Sequence, residues 1–151
     1  IVNKIYDYDI TSNSSTKVDL ITIQNIEGYT TNNFEMPLPP LTITDENGND
    51  VSGTTLNIGS ENGEKSITVY VSSNEPVEAD FHDYSGDLSD VEINNASVIE
   101  ILNGYDTPPI LPAGINVPLT ISTLYGGGDF EIEMYLKTQS NAKTFIVKCV
   151  W

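Results

Sequence analysis

Asp129-Phe130-Glu131-Ile132-Glu133-Met134-Tyr135-Leu136-Lys137 alternates apolar and polar residues almost without a break. Successive side chains of a β-strand point to opposite faces. Phe130, Ile132, Met134 and Leu136 therefore share one face, and Asp129, Glu131, Glu133 and Lys137 share the other. That is the pattern of a strand buried on one side and wetted on the other.

The same period of two recurs outward from this stretch. Residues 144–151 repeat it with Phe145, Val147, Cys149 and Trp151. Ile67, Val69 and Val71 alternate with Ser66, Thr68 and Tyr70, while Val77, Ala79 and Phe81 alternate with Glu78, Asp80 and His82. Further strands are expected over 18–26, 40–44, 53–58, 91–102 and 117–124. Turn signals separate the runs: Glu46-Asn47-Gly48-Asn49, Glu61-Asn62-Gly63-Glu64, Ser85-Gly86-Asp87 and Gly126-Gly127-Gly128. Pro-rich joints lie at 37–40 and 108–112. Alanine occurs only four times, β-branched residues abound, and no 12-residue window carries a helical stripe with caps. Short strands at about 8–12-residue spacing read as an all-β sandwich of immunoglobulin-like or jelly-roll type. With 151 residues and no internal repeat, one sandwich domain over 18–151 is the expectation.

Charge removes several functions. The chain has 22 Asp and Glu against 6 basic residues, a formal net of -16, and all the basic residues are lysines. Nucleic-acid binders neutralise phosphates with clustered Lys and Arg, and Lys4, Lys17, Lys65, Lys137, Lys143 and Lys148 are scattered. Anionic membrane surfaces are excluded on the same ground, and no run approaches the roughly 20 apolar residues of a transmembrane helix. So large a negative charge repels like chains near neutral pH and is relieved near pH 3, since carboxylates titrate around 4. The composition suits a protein that lives in acid or is screened by salt or Ca²⁺. A halophilic origin is the rival reading, which the Ile, Asn and Tyr content disfavours.

The N-terminal segment stands apart. Residues 1–10 read as a strand with Val2, Tyr6, Tyr8 and Ile10 on one face and Asp7 and Asp9 on the other; Lys4 interrupts the apolar face. Residues 11–17 follow without a hydrophobe. An apolar-faced strand on a polar linker is the layout of a detachable arm. Extended, the linker reaches roughly 23 Å and the arm roughly 33 Å, far enough to enter a neighbouring subunit. An ordinary first strand and loop is the plainer alternative. The start at Ile1, without methionine, reads as a processed or trimmed terminus.

Chemistry finds little material. No nucleophile-elbow motif occurs, and the one histidine, His82, lies on the polar side of its strand between Asp80 and Asp83. One His and one Cys leave a zinc site two ligands short. An enzyme is not expected. Calcium is the small partner the residues suggest, because Asp83, Ser85, Asp87 and Asp90 place oxygen side chains along one acidic turn. That stretch departs from the EF-hand spacing, and no glutamate closes a 12-residue loop. Residues 45–50 form a second acidic turn. Cys149 reads as a small core residue, with an intermolecular bridge as its alternative. Two glycosylation sequons begin at Asn13 and Asn95 and are compatible with an exported glycoprotein.

The runs Ile21-Thr22-Ile23-Gln24-Asn25-Ile26-Glu27-Gly28, Leu41-Thr42-Ile43-Thr44-Asp45-Glu46-Asn47-Gly48 and Leu111-Pro112-Ala113-Gly114-Ile115-Asn116-Val117-Pro118-Leu119-Thr120-Ile121 are similar to exported archaeal and bacterial β-sandwich modules. Among these the chain resembles archaeal extracellular filament subunits: thread filaments and bundling pili of the TasA type. The resemblance implies donor-strand complementation, with residues 1–10 as the donor and Val2, Tyr6, Tyr8 and Ile10 filling the groove of the next subunit. It implies a structural homopolymer at the cell surface, a role in adhesion, and other copies of the chain as partners. The alternative is an exported interaction module, binding surface-layer protein or serving as an archaellum-type stator domain.

Overall fold

The alternation read in residues 129–137 becomes the centre of one of two sheets. The computed structural model describes residues 38–58, 65–124 and 128–151. The chain divides into units Ile1–Leu38 and Pro39–Trp151, and the strands described here belong to the second. The donor-arm residues Val2, Tyr6, Tyr8 and Ile10, the linker at 11–17, Asn13 and the expected strand at 18–26 lie outside the described residues.

The strands are β1 (Thr42–Thr44), β2 (Thr55–Ile58), β3 (Lys65–Ser73), β4 (Val77–Gly86), β5 (Val91–Ile93), β6 (Ala96–Ser97), β7 (Ile110–Leu111), β8 (Gly114–Thr123), β9 (Phe130–Lys137) and β10 (Ala142–Cys149). A single-turn helix, α1 (Val98–Leu102), follows β6. They form two five-stranded sheets, ordered β1-β3-β8-β5-β6 and β2-β10-β9-β4-β7. The pairings are antiparallel except β2 with β10, which is parallel. The fold is an all-β sandwich.

The core lies between the inner faces. Phe130, Ile132, Met134 and Leu136 of β9, Phe145, Val147 and Cys149 of β10, and Val69, Val71, Leu119 and Ile121 of the facing sheet are all buried. Burial of one such side chain is worth about 1.5–3 kcal/mol. Outward, Lys137 opposes Glu78 in register at 3.2 Å and lies 3.9 Å from Asp80, while Lys148 is 3.8 Å from Glu131. Cys149 sits in the core as expected of a small apolar residue, and burial pushes its thiol above the ordinary range. Trp151 packs at the core margin under the Lys65 ammonium, 3.8 Å from its ring centroid.

One expected strand is broken. Residues 91–102 form β5, β6 and α1 instead of a continuous strand. Asn94 and Asn95 hold φ of 46° and 67° between the paired residues Ile93 and Ala96. A two-residue hairpin turn of type I′ needs positive φ at both central positions, and asparagine tolerates it. The Ser97 hydroxyl then accepts the Glu100 N–H at 3.4 Å and caps α1. Gly104, at φ 77°, donates to the Ile101 carbonyl, and Tyr105 donates to that of Glu100, which stops the helix within two turns. The β-branched content of 98–102 concealed these two local devices.

A second difference concerns β4, which continues through Ser85 and Gly86 where a turn was expected. Gly86 (φ 86°) crosses close against β9; a Cβ there would sit 2.8 Å from the Phe130 Cα and closer still to the Asp129 carbonyl oxygen. Only glycine fits. The Pro-rich joint at 108–112 hides the short strand β7, which pairs with Val77 and Glu78 of β4.

Replacing Met134, 0% exposed, by alanine should cost about 2–5 kcal/mol in urea unfolding. The neighbouring Glu131→Ala should change stability by no more than about 0.5–1 kcal/mol. Equal losses would contradict the facing of β9.

Candidate functional site

The sandwich treats its strand edges unequally. Edges expose unpaired N–H and C=O groups and template further pairing unless something blocks them. Along β4, the Phe81 N–H is taken by the Asp80 carboxylate at 2.8 Å. Just beyond it the register slips between His82 and Tyr84, with Asp83 at φ 50°. Along β8, the Asn94 side chain mimics a paired strand: its oxygen accepts the Thr120 N–H at 2.8 Å and its nitrogen donates to the Pro118 carbonyl at 3.5 Å. Pro118 itself brings no N–H. Along β10, Gly53 and Thr54 bond the backbone of Thr144 and Ile146 ahead of β2.

The edge of β3 has no such guard among the described residues. Its pairing with β1 covers only Tyr70, Val71 and Ser72. The Thr44 hydroxyl donates to the Tyr70 carbonyl at 3.5 Å, so even-numbered residues of β3 direct their backbone groups to the β1 side. By that alternation Ser66 and Thr68 present N–H and C=O groups where β1 has already ended.

What ends β1 is the turn at 45–49. The Asp45 Oδ1 accepts the N–H groups of Asn47 and Asn49, each at 2.9 Å, and its Oδ2 accepts the Asn49 Nδ2 at 3.0 Å. These bonds, the Asn49 side chain foremost, hold the Asp45 carboxyl below the ordinary carboxylate range. Val51 then returns to bond the Ile43 carbonyl, so the chain folds back beside β1 and leaves the rest of β3 uncovered by it. A groove of about 430 Å³ runs along that stretch, with Leu56, Ile67 and Val69 among its walls and Asp45 and Glu46 on its rim. Leu56 and Ile67 are only partly buried, unlike Val69 deeper in the seam. The arrangement offers backbone hydrogen bonds above an apolar floor, which is what an added strand requires.

Asp83 and Ser85 belong to β4, and Asp87 and Asp90 to the turn after it. The Asp87 Oδ1 accepts both the N–H and the hydroxyl of Ser89, at 3.0 and 2.6 Å, which holds its carboxyl below the ordinary range. Asp83 meets different company. The bulge leaves it on the outer face beside His82, opposite Glu133 of β9, and the ligand atoms of these three lie within 4.8 Å of one another. Strict alternation would have sent Asp83 to the other face, and nothing in residues 77–87 by themselves signals Glu133. Asn95 stands exposed at the tip of the β5–β6 hairpin. Comparison of the chain with known families, with curated proteins and with solved structures finds no match.

The Asp45 bonds to Asn47 and Asn49 carry a pH signature. A carboxyl held low in the folded state adds stability above its unfolded value near 4, and loses it as pH falls through the lower folded value. The stability gap between the parent protein and Asp45→Ala should therefore shrink from about pH 4 downward in denaturant titrations. A gap that stays constant would show that those bonds do not depend on the charge.

Proposed function

We propose that the chain is the structural subunit of an extracellular filament, polymerising when residues 1–10 of one copy add as a strand to the next. The observation that carries this reading is the β3 edge at residues 65–69, which no strand or side-chain device among the described residues guards, in a fold whose other long described edges are capped, bulged or paired. Five residues of antiparallel strand span about 17 Å, and the arm spans roughly 33 Å, so half the arm suffices. Its alternate apolar residues would lie over Leu56 and Ile67 and complete their burial. The arm also carries Lys4, opposite in sign to the Glu46 rim. Strand addition supplies affinity through main-chain bonds and specificity through alternate side chains, with no catalytic group.

The acidic surface sets when such a polymer forms. At a net of -16, copies repel one another near neutral pH, and protonation or salt removes the barrier. The exported interaction module is the second reading, in which the same edge receives a strand from a different protein.

Electron microscopy of the parent protein should show unbranched fibres at pH 3, and fewer of them at pH 7 in low salt. Deletion of residues 1–10 should leave discrete particles. Thr68→Pro removes an N–H on the open side while the β8 ladder retains its bonds, and should block fibres without unfolding the sandwich. Fibres that persist through both changes would overturn the proposal, and discrete particles from the parent at both pH values would favour the interaction module.

A further inference from the structure

The acids on the outer face of the β2-β10-β9-β4-β7 sheet fall into two groups. Glu78 and Asp80 share Lys137, and Glu131 has Lys148. Asp83 and Glu133 have no lysine among the described residues. In register, Glu133 is opposed by His82 on β4 and by Ile146 on β10, an imidazole and a hydrocarbon. Two carboxylates are thus held beside each other with an imidazole nitrogen within reach of both.

We propose that His82, Asp83 and Glu133 bind a divalent transition-metal ion of the zinc class. One nitrogen and two carboxylate oxygens are a donor set that such ions accept, and the two negative charges balance the ion. Their ligand atoms lie within 4.8 Å of one another. Ligands on one zinc stand roughly 3.3 Å apart at metal–ligand distances of about 2.0–2.1 Å, so modest rotations of His82 and Asp83, both exposed, and of the half-exposed Glu133 close the set. The backbone beneath them is strand on both sides, which fixes spacing better than a loop. Tyr135, next along the outer face of β9, meets the His82 ring edge to face at 4.7 Å between centroids and restrains its orientation. The imidazole distinguishes this site from the calcium turn expected at Asp83, Ser85, Asp87 and Asp90, since calcium takes oxygen ligands. Three protein ligands leave a fourth position to water or to a group from outside the chain.

The site is independent of filament assembly and is tested on the whole chain after removal of metals with a chelator. Calorimetric titration with Zn²⁺ near neutral pH should saturate at one ion per chain, with Ca²⁺ in millimolar excess failing to displace it. His82→Gln and Glu133→Gln should each weaken binding about tenfold or more, while Asp87→Asn leaves it unchanged. Co²⁺ in the same site should show visible absorption that His82→Gln abolishes. Absence of saturable binding, binding indifferent to both substitutions, or displacement by Ca²⁺ would each overturn the proposal. Unchanged circular dichroism in the two variants, which alter solvent-facing side chains, ties a loss to the ligands and not to the fold.

Discussion

Everything in this sandwich hangs on the register of β9. Its inner residues Phe130, Ile132, Met134 and Leu136 are all buried, and its outer residues Glu131, Glu133, Tyr135 and Lys137 are only half-buried. A slip of one residue would exchange the two sets, placing two glutamates and a lysine in the core. Burying a carboxylate without a partner costs far more than any surface contact recovers. This penalty locks β9 against both β4 and β10, and with it the cross-strand neighbours of every polar residue on the outer face. The pairs of Glu78 with Lys137, Lys148 with Glu131, and His82 with Glu133 are consequences of one buried face.

Edge management is the second theme. The guarded edges use different local devices: on β4 a carboxylate bonded to the next N–H at Asp80 and a bulge at Asp83, and on β8 an asparagine amide standing in for a strand at Asn94. None of these uses the core, so each adds little to stability and acts mainly against unwanted pairing. The β3 edge differs because β1 is stopped after three residues by the Asp45 turn. The same turn puts Asp45 and Glu46 on the rim of the groove that results. Termination of one strand and exposure of the next are thus a single event in the chain.

The acidic surplus is handled locally. Asp45, Asp50, Glu75 and Asp87 are each held below the ordinary carboxylate range chiefly by hydrogen bonds from hydroxyl, amide or backbone groups of nearby loops. With only six lysines for 22 acids, ion pairs cannot compensate the charge, and exposed pairs are worth little in any case. Turn chemistry does part of that work, so the turns that shape the sandwich are also the places where its charge is best tolerated.

The sheet-forming segments β3, β9 and β10 and their inward faces were legible in the residues alone, because a period of two over eight or nine residues leaves one consistent set of buried side chains. The sequence also foretold Cys149 as a core residue. It misjudged residues 91–102, where β-branched side chains suit strand and single-turn helix alike and the Asn94-Asn95 turn and Ser97 cap decided the matter. Tertiary structure alone decided the candidate sites. Glu133 reaches His82 and Asp83 only through pairing of β4 with β9, and only because a bulge cancels the alternation that would have parted Asp83 from His82. The stretch of β3 that β1 leaves uncovered likewise depends on where that strand stops. Periodicity reports which face of a strand is wet, but which residue stands across the ladder follows from register, and register is set by the packing of the whole sandwich.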